Sequence, residues 1–110
     1  MNTNKLAKTL SLLEITDIDE NSPKEITGCY ICDLLSRVMS GCDEGDIWIT
    51  VQNSINVIAV AVLNECACII VCEGVKVPAD VISKANEEGV IVFSSDRRAY
   101  ELAKDISAII

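Results

Sequence analysis

The sequence predicts an α/β protein, a three-layer α/β/α sandwich on a mainly parallel sheet, in a single domain spanning residues 1–110. Two near-continuous apolar runs, Ala67 to Cys72 and Val90 to Phe93, have the character of strands buried on both faces. A helical pattern follows each of them, and strands that alternate with helices call for crossover connections and parallel pairing. Half of the residues are apolar but only 4% are aromatic, so the core is expected to be aliphatic. A chain of 110 residues can build one such core without disulfides or a structural metal.

Taken in order, Asn4 to Leu13 carries Leu6, Leu10 and Leu13 at helical spacing, with Lys5 and Lys8 facing solvent. Glu14 to Ile18 reads as a short edge strand, and Asp19-Glu20-Asn21-Ser22-Pro23 as a loop. Glu25 to Tyr30 reads as extended, with Gly28 permitting a bulge or a close backbone contact. Asp33 sets an acid in the first turn of a helix over Leu34 to Met39 that Gly41 closes. Asp46 to Val51 alternates between faces and is rich in strand-favouring residues. Val57 to Leu63 fits either a strand or a helix. A hairpin through Asn64-Glu65 would lack the glycine that such a turn prefers, so a helix from about Ser54 to Asn64 is expected. After Ala67 to Cys72, Glu73-Gly74 breaks the chain. Pro78 then starts a helix to about Glu88, stopped by Gly89. Val90 to Phe93 is the next strand, Ser94-Ser95-Asp96 supplies an N-cap, and Arg97 to Ile106 forms the last helix.

Nine Lys and Arg against seventeen Asp and Glu give a net charge of -8, which opposes approach to a nucleic acid backbone. No apolar run reaches the ~20 residues a membrane helix needs, because Asn56, Asn64 and Glu65 interrupt Ile55 to Cys72. Met1 to Leu13 has no signal-peptide pattern, so a cytoplasmic protein is expected.

Thr50, Gln52, Asn53, Ser54 and Asn56 cluster at the end of one strand, with Ser94, Ser95 and Asp96 after another. Ligand sites of α/β proteins lie beyond the carboxyl ends of strands, and helices opening at Ser54 and Asp96 would offer N–H groups to an anion. The competing reading is that these residues cap helices and shape turns. The chain has no His, and neither Glu87-Glu88 nor Asp43-Glu44-Asp46 has the partner that acid–base catalysis needs; both groups read as solvated surface. Arg97 and Arg98 could meet an anion, although an ion pair with Glu101 accounts for them equally. Trp48 reads as a core or interface residue.

Cys29-x-x-Cys32 has metal or redox spacing, with Cys42, Cys66, Cys68 and Cys72 further on. No second ligand pair can be read, and cysteines inside buried strands act as small hydrophobes, so core packing without metal is the expectation. Cys32 stands out as a possible reactive thiol, because it precedes a helix start that would favour thiolate, although Asp33 beside it opposes this.

The order Gly28-Cys29-Tyr30-Ile31-Cys32-Asp33-Leu34-Leu35, Glu44-Gly45-Asp46-Ile47-Trp48-Ile49-Thr50-Val51-Gln52, Asn56-Val57-Ile58-Ala59-Val60-Ala61 and Val90-Ile91-Val92-Phe93-Ser94-Ser95 resembles the stand-alone branch of the DRTGG domain family. The resemblance runs from about Leu6 to Ile106. It implies an α/β/α domain similar to the N-terminal domain of bacterial HPr kinase/phosphorylase, acting as a regulatory or dimerising module. Related domains accompany phosphotransacetylases or lie between nucleotide-sensing domains of pyrophosphatases. The naming Asp-Arg-Thr-Gly-Gly run is replaced here by Asn53-Ser54-Ile55-Asn56, which removes an arginine from where an anion would be held.

The expectation is therefore a non-catalytic regulatory or ligand-sensing domain without a cofactor, binding a small anionic metabolite or nucleotide. It should form a homodimer through the apolar segment Ile55 to Cys72. Two alternatives stand beside it: a small redox or metal-binding protein using Cys29 and Cys32, and a scaffold docking onto a protein partner.

Overall fold

The computed structural model describes residues 1–17, 19 and 21–110. Helix α1 (Thr3–Thr9) leads to a two-residue strand β1 (Leu13–Glu14) and then β2 (Gly28–Ile31). Alternation follows without interruption: α2 (Leu35–Gly41), β3 (Asp46–Thr50), α3 (Ile55–Asn64), β4 (Cys68–Val71), α4 (Ala79–Glu88), β5 (Val92–Ser94) and α5 (Ala99–Ser107). One five-stranded sheet has the order β1-β5-β4-β3-β2. Only β1 runs antiparallel, pairing Leu13 with Ser94; the other pairs are parallel, with Ile47 opposite Cys68 and Ile69 opposite Val92.

Three layers follow from how the strands alternate. Ile47, Ile49, Cys68, Ile70 and Phe93 face α1 and α5, where Leu6, Leu10, Leu102 and Ile106 close one core. Trp48, Ile69, Val71 and Val92 point the other way, onto Val38 of α2, Val57 and Ile58 of α3, and Val81 and Ala85 of α4. The expected sandwich and its mainly parallel sheet are observed. Val57 to Leu63 is helical, and the hairpin alternative is excluded by the parallel pairing of β3 with β4.

Several boundaries differ from expectation, each for a local reason. Leu13 does not belong to α1: Ser11 takes a positive φ of 53° that ends the helix, and Leu13 sits in β1, 64% exposed. The strand expected over Glu14 to Ile18 is shifted toward the N-terminus, with Ile18 and Glu20 outside the described residues. Gly41 is not a left-handed stop but the last residue of α2, where a Cβ would meet the Tyr30 ring; Cys42 caps the helix at φ -81°. Arg98, not Ser94, Ser95 or Asp96, holds the N-cap position of α5, and no side chain caps it. Gly89, by contrast, ends α4 at φ 71° as the pattern required.

Candidate functional site

At the carboxyl edge of the sheet, Thr50 is 1% exposed and donates from Oγ1 to Asp33 Oδ1 at 2.8 Å. The same carboxylate oxygen accepts the Val51 amide at 3.0 Å, and Thr50 Oγ1 accepts the Gln52 amide at 3.1 Å. Gln52 Nε2 donates back to the Asp33 carbonyl at 2.9 Å. Asp33 is therefore not a first-turn acid of α2, as the sequence pattern suggests; it precedes the N-cap position that Leu34 occupies, and it locks the exit of β2 to the exit of β3.

The lacing continues across the sheet. Asn53 Nδ2 donates to the Lys76 carbonyl at 2.8 Å, holding the β3 exit to the loop after β4. Ser95 accepts the Gly74 amide on its carbonyl at 3.0 Å and the Arg97 amide on Oγ at 3.1 Å. Ser94 stays within β5, opposite Val71. Thr50 and Gln52 are thus brought together around Asp33, while Ser94 and Ser95 lie on the far side of β4. Ser54 is exposed and makes no side-chain cap bond, so the amides opening α3 carry no side-chain cap. Arg97 is engaged by Glu101 at 3.8 Å and by Asp105 at 2.7 Å.

Strand order explains why this edge is laced shut. From β2 to β5 the chain advances in one direction, and all three crossover helices pack on one face. A ligand crevice in an open α/β sheet forms where strand order reverses, and the parallel part of this sheet has no such reversal. Two cavities lie elsewhere. One of about 560 Å³ opens at the amino edge, lined by Lys24, Glu25, Glu44, Glu65 and Glu88 among others. Another of about 520 Å³ runs between α3 and α4, lined by Ile55, Asn56, Ala59, Val62, Leu63 and Lys84.

That second groove follows from the composition of α3, ten residues without one charge. Its inner face packs Val57, Ile58, Val60 and Ala61, while Ile55, Val62 and Leu63 stay 43%, 43% and 64% exposed. Asn56 belongs to this outer face rather than to the polar edge.

Two residues of consequence were not singled out by the sequence. Asn64 donates from Nδ2 to three carbonyls of the neighbouring helix end, Val38 at 3.2 Å, Met39 at 3.0 Å and Cys42 at 2.8 Å. Asp46, expected on the solvated surface, is 8% exposed, and its Oδ2 accepts the Asp43 amide at 2.8 Å. Gly28 makes room for it, since a Cβ there would strike the Asp46 carboxylate.

The cysteines divide across the sheet. Cys29, Cys68 and Cys72 belong to the α1/α5 core, and Cys32, Cys42 and Cys66 to the opposite one. Cys29 and Cys32 thus face opposite sides and do not converge on one ion, because an i, i+3 pair in an extended strand cannot share a face. Burial and then the Asp46 charge push the Cys29 thiol up to about 11. Cys32 is half-buried, with its Sγ 3.8 Å from the Leu34 carbonyl and its own carbonyl accepting Trp48 Nε1 at 2.9 Å. Trp48 itself is fully buried in the core.

The DRTGG domain family matches residues 14–109 of the chain. Among solved structures, the crystal structure of the CBS and DRTGG domains of the regulatory region of Clostridium perfringens pyrophosphatase, complexed with its activator diadenosine tetraphosphate, is similar with a TM-score of 0.76. Sequence identity is 17%, so the likeness is one of fold; it covers 94% of this chain and 45% of that one. No curated protein matches the chain.

Proposed function

The chain belongs to the DRTGG domain family, and from that premise we propose that residues 1–110 form one non-catalytic regulatory domain acting as a cytoplasmic homodimer through the outer face of α3. DRTGG domains are regulatory, as in the regulatory region of the clostridial pyrophosphatase. No helix among the described residues is long and apolar enough to cross a membrane.

The observation that carries the reading is the uncharged α3, with Ile55, Val62 and Leu63 exposed on a chain of net charge -8. Two copies of this net charge repel, whereas the exposed side chains of α3 bring no charge to a contact and Lys84 beside them is paired with Glu88 at 3.1 Å. Ala59, between Ile55 and Val62 on the same face, leaves room for a second helix to approach. Sedimentation of the full chain across a concentration series tests it. Leu63→Lys should shift the protein to monomer, and Leu34→Lys on the exposed α2 start should leave the dimer intact. The reverse pattern would move the interface to the β2 edge.

A second reading rests on the uncapped opening of α3 at Ser54. A small anion, of which the clostridial activator is a nucleotide example, would sit there against Asn53, Ser54 and the first amides, drawn by the helix dipole. With no arginine in the turn, its affinity should depend little on salt. Asn53→Ala with Ser54→Ala should weaken diadenosine tetraphosphate or inorganic phosphate binding while the fold persists. Unchanged binding would reduce this edge to a turn.

A further inference from the structure

We propose that Cys42 and Cys66 form a dithiol site that a hydroperoxide converts to a reversible disulfide. Their sulfurs lie 3.3 Å apart, although the residues are 24 positions apart in sequence. Both are buried, 5% and 6% exposed, and both are free thiols. Cys66 also lines the 560 Å³ cavity at the amino edge, which sets the residue beside a space that a molecule the size of hydrogen peroxide enters. Cys42 sits behind it as the C-cap of α2. About 1.2 Å of closure separates the thiol pair from an S–S bond of ~2.05 Å. Asn64 holds the two backbone segments in register, because it binds the Cys42 carbonyl from two residues before Cys66.

The geometry of the pair assigns the roles. Cys66 lines the cavity and Cys42 does not, so an oxidant in the cavity meets Cys66 first. Cys66 is therefore the nucleophile and Cys42, 3.3 Å behind it, the resolving thiol. The Cys66 thiolate attacks one peroxide oxygen and the O–O bond breaks. With one proton taken up, this leaves Cys66 as a sulfenic acid and releases one water. Cys42 sulfur then attacks the Cys66 sulfur, the S–O bond breaks, and the hydroxide leaves as a second water with the Cys42 proton. The pair loses two electrons and the peroxide gains two. The product joins the end of α2 to the residue leading into β4, across the floor of the cavity.

This site is on the amino edge, where Val62 lines both its cavity and the α3–α4 groove, but the thiol readout depends on neither the proposed α3 contact nor the carboxyl edge. The reduced full chain is treated with hydrogen peroxide, alkylated, denatured and weighed. Two of the six thiols should be lost within one chain and recovered by dithiothreitol. Cleavage after glutamates should give peptide 26–44 joined to peptide 66–73, and because each holds three cysteines, fragmentation of the joined pair should place the alkyl groups on Cys29, Cys32, Cys68 and Cys72 and the bridge between Cys42 and Cys66. Cys42→Ser should stop at a sulfenic acid on Cys66 that a dione probe captures, and Cys66→Ser should keep all its thiols. Retention of six thiols in the wild type would overturn the proposal, as would a bridge between other cysteines or between chains. Irreversible oxidation without a bridge would do the same. The wild-type peptide map decides the matter even if a variant misfolds.

Discussion

Removing the Asp33 side chain should cost the fold about 2 kcal/mol, because its carboxylate accepts bonds from Thr50 Oγ1 and the Val51 amide and the residue is otherwise exposed. Bonds to a buried charge would contribute more, and solvent screening brings each to the low end, about 1 kcal/mol. With an unfolding entropy of about 2.1 cal/mol/K per residue, that loss corresponds to a fall in Tm of about 9 °C for a chain of this length. Asp33→Asn keeps a neutral acceptor and should lose roughly half as much. Thr50→Val keeps the shape but removes the hydroxyl that also accepts the Gln52 amide. The double-mutant cycle should therefore show a coupling of about 1 kcal/mol. Chemical denaturation of the four proteins reads all of these values. If Asp33→Ala lies within about 0.5 kcal/mol of wild type, the surface range, or if the coupling is zero, the polar edge is not a structural lace and its residues are free for a ligand.

Asn64→Asp should destabilise by about 3 kcal/mol, since a carboxylate would face three carbonyls that now receive N–H donors; a denaturation midpoint equal to wild type would contradict this. Gly41→Ala should destabilise by about 1–3 kcal/mol despite the helix preference for alanine, because the new Cβ meets Tyr30; in a Tyr30→Ala background the same change should stabilise, and equal effects in both would refute the contact. The Cys29 thiol rises in the fold from 9.0 to about 11, so its contribution to stability is complete below pH 9 and is lost as pH rises through 11. Unfolding followed between pH 8 and 11 should show a shallower decline for Cys29→Ala than for wild type, with identical slopes counting against the shift.

The layers and the order of elements were legible because their signals are periodic. Cys68 to Val71 and Val92 to Ser94 sit in apolar runs that only a doubly covered strand uses, and Pro78 and Gly89 bracket α4. Helix α3 was legible from the lack of a turn glycine at Asn64-Glu65, although the chain ends the helix there with Glu65 in the left-handed region at φ 54°. The edge residues were legible as polar but not as partners. Asp33 meets Thr50 and Val51 only because β2 and β3 pair Ile31 with Ile49, which continues to place residue 33 beside residue 51. That register is a property of two segments, and local propensity does not contain it. The Cys42–Cys66 pair and the reach of Asn64 to α2 are of the same kind, tertiary meetings of residues that each look ordinary in sequence.

Sedimentation equilibrium of the full chain, wild type beside Leu63→Lys, decides whether the outer face of α3 joins two copies. The wild type should form a concentration-dependent dimer and the variant should stay a monomer at the same concentration, with matching circular dichroism. A wild-type protein that stays monomeric at high micromolar concentration, or a Leu63→Lys variant that dimerises as well as its parent, would contradict that contact.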